Sequence, residues 1–114
     1  MQVVDDTASP ESLEGLLKIR DRLFDRDVVE GLRQCDQAER ELFVAHRMKL
    51  CEEILRLETA QLSTLRQALE VHGAELSRST QGLTESLSEM EESARWAEGI
   101  GKLLSVVSVV TAAL

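Results

Sequence analysis

Leu55, Leu62, Leu69, Leu76, Leu83 and Met90 follow one another at seven-residue intervals, and Ala97 and Leu104 continue the row. A seven-residue apolar period marks a helix that turns one seam toward a neighbouring helix. The positions three residues further on are Glu58, Leu65, His72, Ser79, Ser86 and Ser93, mostly polar. The seam is therefore one-sided, which suits a bundle whose helices change neighbours better than a two-stranded zipper. The ridge expected to face other helices is Leu55, Leu62, Leu65, Leu69, Leu76, Leu83, Leu87 and Met90. A second seam precedes it. Val28, Cys35 and Leu42 repeat every seven residues, with Gly31, Ala38 and Ala45 three positions later. Small residues on that side would let a partner helix come close. Between Met48 and Ile54 the phase shifts. Phe43, Val44 and Leu50 lie outside the second seam, and a helix apolar over more than one stripe must touch more than one neighbour.

Punctuation divides this pattern into elements. Residues 1–8 are polar and read as disordered. Ser9-Pro10-Glu11 opens a helix with a serine cap, proline in the first turn and an early acid. Its apolar face is Leu13, Leu16, Leu17, Leu23 and Phe24, with Ile19 to the side. Asp25-Arg26-Asp27 reads as a bend, and Asp27 followed by Glu30 resembles a capping box. Ser77-Arg78-Ser79-Thr80-Gln81-Gly82 collects turn-forming residues. The heptad phase does not slip there, so an unbroken rod is the alternative to a turn. The expected fold is all-α: a long helical hairpin or coiled-coil bundle of about three helices, at about 10–24, 28–77 and 83–112. The coiled-coil region would span 9–98, followed by an apolar C-terminal helix over 99–114.

That last segment has no charge after Lys102. Ser105, Ser108 and Thr111 recur every third residue, which gathers them on one side of a helix. Leu103, Leu104, Val106, Val107, Val109 and Val110 supply the apolar remainder. Twelve helical residues span about 18 Å, short of the about 30 Å hydrocarbon core of a bilayer. Burial in a helical interface is the first expectation, and membrane anchoring or insertion through 99–114 is the second.

Composition agrees with helix. The chain is rich in Leu, Glu, Arg, Ala and Gln, has one proline and no tyrosine, and its aromatics are Phe24, Phe43 and Trp96. A formal charge of −8 argues against nucleic acid, whose phosphates require a clustered cationic face. Met1–Asp6 lacks the basic and apolar regions of a secretory signal. On one helix, Cys35 and Cys51 would lie about 24 Å apart, too far for a bridge. Reduced thiols and an intracellular, cytoplasmic setting follow as expectations.

Chemistry finds little purchase in the pattern. His46 and His72 belong to no metal-binding spacing, the cysteines lack Cys-x-x-Cys spacing, and Gly99 and Gly101 form no phosphate loop. His72 reads as a half-buried polar layer, and no catalytic residue, metal, cofactor or small-molecule substrate is expected. Arg26, Arg33, Arg40 and Arg47 recur every seven residues. They could dock an acidic helix, though a solvated outer face is the simpler reading. Glu85, Glu89, Glu91, Glu92 and Glu98 against Arg95 form an acidic stretch. The expected function is a non-enzymatic coiled-coil interaction subunit, an adaptor or assembly factor that packs against helical partners, itself or both.

Overall fold

The computed structural model describes residues 11–89 and 93–114, and among them every regular element is an α-helix. There are five: α1 Glu11–Arg22, α2 Arg26–Leu32, α3 Gln37–Thr59, α4 Leu62–Ser88 and α5 Ser93–Ala112. The all-α expectation holds, while the three-helix division is corrected to five. The N-terminal tail, the Ser9-Pro10 cap and Met90 lie outside the described residues.

Three of the breaks were not anticipated, and one of them, between Ser88 and Ser93, falls inside the helix expected at 83–112. Arg33 to Asp36 separates α2 from α3, where Asp36 adopts an extended conformation and its carboxylate accepts the Glu39 N–H at 2.8 Å. That cap supplies an acceptor for an otherwise orphaned amide and starts α3 afresh. Ala60 and Gln61, with ψ of 155° and 134°, separate α3 from α4 without glycine or proline. Thr59 shares in the ending, its hydroxyl donating to the carbonyls of Leu55 and Arg56 at 3.0 and 3.3 Å.

The expected turn at 77–82 is absent, because α4 runs through it. Thr80 is buried, and its hydroxyl donates to the Leu76 carbonyl at 2.8 Å, so it needs no outside partner. The small residues there admit α1. A Cβ on Gly73 would stand 3.3 Å from Ser12 Oγ, and one on Gly15 would stand 3.6 Å from Thr80 Cγ2. Gly73 thus permits a close approach that a larger residue would obstruct. The bend before α2 does form, but without the capping box. Asp27 is gripped by Arg22 and Glu30 by Arg26, and the capping position is Asp25, which makes no side-chain cap.

In the packing, α5 lies against both α3 and α4, while α1 lies against α4 and, less extensively, α3. Although α3 and α4 are joined by two residues, they barely touch. Phe43 meets Trp96 edge to face at 6.3 Å and His46 lies beside Gly101, so α5 runs parallel to α3. The body measures 50 × 25 × 20 Å. One core cluster joins Leu13, Leu16 and Ile19 of α1 with Val28 and Leu32 of α2 and the inner faces of the three long helices. Ile19, expected at the side of its helix, lies at the centre, and Phe24, expected on the inner face, is exposed.

Candidate interaction surface

The ridge read from the leucine heptads is not one surface. Leu65, Leu69, Leu76, Leu83 and Leu87 are buried within the chain, while Leu55 and Leu62 are exposed. The reason is register. The companion row of Leu69, Leu76 and Leu83 is Gly73, Thr80 and Leu87, four residues on, not His72, Ser79 and Ser86, three residues on. Spacings of four and three alternate along this stripe, and its small members face α1. The same alternation runs through Trp96, Ile100, Leu103, Val107 and Val110, all buried on α5.

The C-terminal segment is thereby occupied inside the bundle. Val107 and Val110 are buried, Leu104 and Val106 are half-buried, and Val109 is exposed, where all four valines had been expected in contact. Ser105 is exposed, with Ser108 and Thr111 half-buried. No described helix is long and apolar enough to cross a membrane.

The second seam is cut by the break at 33–36. Val28 is buried on α2 and Gly31 is half-buried there. Cys35, in the connection, is half-buried and donates through Sγ to the Gly31 carbonyl at 3.6 Å. Ala38, Leu42 and Ala45 lie exposed on α3. The inner face of α3 consists instead of Phe43, Leu50, Ile54 and Leu57. Glu53 is buried with them, its side chain only 7% exposed, and Lys49 and Arg56 each stand 3.9 Å from it.

What remains is a stripe on the flank of α3. Val44, Met48, Cys51 and Leu55 are spaced four, three and four apart, and on an ideal helix they fall within an arc of about 60°. That arc is turned about 120° from the inner face. Met48 and Leu55 are each 60% exposed, and Val44 and Cys51 are half-buried. Beside the stripe runs α1, whose Arg20 pairs with Glu58 of α3 at 3.4 Å. Phe24, 54% exposed and just past the end of α1, shares that flank beside Arg47.

Arg47 ties the two helices together. Its Nη1 donates to the Leu23 carbonyl at 3.2 Å, and its guanidinium lies 4.3 Å from the Phe24 ring centroid. A cation at a helix C-terminus and over an aromatic face is favourable on both counts. Arg40 similarly donates to the Cys35 carbonyl at 3.3 Å. The heptad arginines are thus divided: Arg26 and Arg33 belong to α2 and its end, and Arg40 and Arg47 fasten the backbone around α3.

Around the rest of the molecule lie shallow polar grooves. One, of about 420 Å³, runs between α1 and α4 past Glu11, Glu14, Lys18 and Gln81. Another, about 330 Å³, is lined by Arg78, Arg95, Lys102 and Glu98 between α4 and α5. Among the described residues no three metal-ligating side chains gather, and Cys35 and Cys51 form no disulfide. Of the acidic stretch, Glu85, Glu89 and Glu98 are exposed, while Glu91 and Glu92 lie outside the described residues. Comparison with protein-family models, curated proteins and solved structures yields no match.

Proposed function

We propose that the chain is a non-enzymatic helix-docking protein, an adaptor or assembly subunit that receives an amphipathic helix along the flank of α3. One observation carries the reading. Val44, Met48, Cys51 and Leu55 form an apolar stripe at helical spacing, two of them 60% exposed, on a molecule that buries Leu69, Leu76 and Leu83 of the heptad row internally. Exposed apolar residues scattered singly need no explanation, but a contiguous row beside an exposed aromatic suits contact with another helix. Knobs at four-three spacing fit the holes of a facing helix, and Phe24 would flank the docked helix on the α1 side.

The test is co-purification of tagged chain from its native source, compared with the Met48→Glu/Leu55→Glu variant. Both residues point to solvent, so stability should change by no more than about 0.5 kcal/mol per site. Specific partners, whether other proteins or untagged copies, should be retained by the wild type and lost by the variant at unchanged circular dichroism. Equal retention by both would overturn the reading.

A further inference from the structure

We infer that the helix received on this flank is α3 of a second copy, lying parallel to the first; the inference rests on the helix-docking reading above. Its basis is the charge on the two edges of the stripe. With Met48 and Leu55 at one core position of a heptad and Val44 and Cys51 at the other, the edge toward α1 carries Arg40, Arg47 and the buried Ile54. The opposite edge carries Ala45, Glu52 and Thr59. Arg47 precedes Glu52 by five residues, the offset at which parallel paired helices join one edge to the partner's next heptad.

A two-fold axis along the pair would form that contact twice, Arg47 to the partner's Glu52 and the reverse. An antiparallel pair centred on the stripe would set like edges together, leaving Arg47 level with the second copy's Ile54 and Glu52 level with its Ala45, so neither charge would gain a partner. Arg47 also has something to gain. Among the described residues its partners are the Leu23 carbonyl and the rings of Phe24 and Phe43, with no carboxylate within ion-pair distance. Glu52 is exposed, and among the described residues its ion-pair partner is Lys49 at 3.8 Å.

In the parallel register each core residue meets its own copy: Val44, Met48, Cys51 and Leu55 form four layers over about 17 Å of helix. An interface of three turns falls below the about 1,200 Å² of a standard complex, so the dimer belongs to the weak, reversible class. Phe24, beside Arg47, borders the space that the second α3 would enter. Glu41 and Glu58 take the next core positions at the two ends and limit the interface to these four layers: Glu58 is paired with Arg20 at 3.4 Å, while Glu41, hydrogen-bonded to neutral Gln37 at 2.9 Å, keeps its charge.

Sedimentation equilibrium of the full chain from about 10 to 500 µM reads association across the range of weak complexes. The average mass should rise from 12.7 kDa toward twice that value. Glu52→Arg, which sets a cation against the partner's Arg47, and Leu55→Glu should each remain monomeric at the highest concentration, with unchanged circular dichroism and melting.

Cys51 reports the register. In a Cys35→Ser chain, diamide should trap a disulfide-linked dimer that is lost with Cys51→Ser or with added Leu55→Glu. Restoring one thiol as Met48→Cys in the chain lacking both native cysteines should recover the cross-link, since residue 48 also meets its own copy. A monomer at every concentration, a dimer indifferent to Glu52→Arg, or a cross-link indifferent to Leu55→Glu would overturn the second copy as occupant. Co-purification of a different protein, lost with Met48→Glu/Leu55→Glu, would then leave the helix-docking reading standing.

Discussion

Arg22 holds the corner between α1 and α2 through its fork. Nη1 and Nη2 reach the two oxygens of Asp27 at 2.6 and 3.0 Å, and Nη1 also reaches Asp25 at 3.1 Å. The hydrogen bond from Arg22 is the main reason the Asp27 carboxyl sits below its usual 3.8, outweighing the opposing desolvation. The same bond raises the guanidinium further. A carboxyl with a depressed folded pKa contributes stability above its unfolded pKa and loses it as pH falls through the folded value. Wild type should therefore melt slightly above Asp27→Asn at pH 7, and the gap should close as pH falls below the usual 3.8 and through the lower folded value. The gap should be small, because Asp27 is exposed and the pair is screened by water. A gap that persists at low pH would show that the carboxylate charge is not its source. Asp27 also illustrates a limit of local reading. Its spacing to Glu30 resembles a capping box, yet Arg22, five residues earlier, competes for the carboxylate and wins with two hydrogen bonds.

Helix by helix, the heptad row is where pattern and packing part. Leu62 and Leu76 occupy the same row, but Leu62 is half exposed at the start of α4 and Leu76 is fully buried beneath α1 and α5. Leu76→Ala should cost about 2–5 kcal/mol, the range for a core leucine that leaves a cavity. Leu62→Ala should change stability by about 0.5 kcal/mol or less. Chemical denaturation of the two variants checks this, and equal costs would mean that the row is buried as a unit. The period of seven was legible, but which companion row completed it was not. Both the serines three residues on and Gly73, Thr80 and Leu87 four residues on were available. Polarity alone favours neither strongly, since glycine and threonine gain value only once Ser12 and Gly15 of α1 approach them. The capping aspartate at 36 with Glu39 three residues later was readable, and it marks the break that divides the second seam.

Across the whole molecule, α5 is the element on which the others depend. It packs against α3 and α4, which scarcely touch one another. Trp96, Ile100, Leu103, Val107 and Val110 each bury nearly all their surface there. At about 1.5–3 kcal/mol per buried large side chain, five of them match the whole stability of an ordinary domain, about 5–15 kcal/mol. Deleting residues 93–114 should therefore abolish cooperative melting and much of the helical circular dichroism. A truncated chain that still melts cooperatively would show that α1–α4 hold a core without it. The apolar tail, which by length and hydropathy could have served an interface or a bilayer, is instead a component of this core.

The all-α class and the approximate extent of the first helix were determined by sequence alone: helix-forming residues, apolar spacings of three and four, and few residues that disfavour helix; the last helix kept its expected end but begins at Ser93 rather than near 83. Sequence likewise determined the surplus of apolar surface on the segment that became α3, visible in Phe43, Val44 and Leu50 lying outside the expected seam. Which of those residues stayed outside was decided only in three dimensions. Phe43 and Leu50 turned inward to α5, Ala38, Leu42 and Ala45 turned outward, and Val44, Met48, Cys51 and Leu55 were left along the flank. A helix specifies the angles between its side chains through its own geometry, so stripes can be read from spacing. Its neighbours set the rotation about its axis, and Trp96, Gly101 and Arg20 belong to segments far from α3 in the chain.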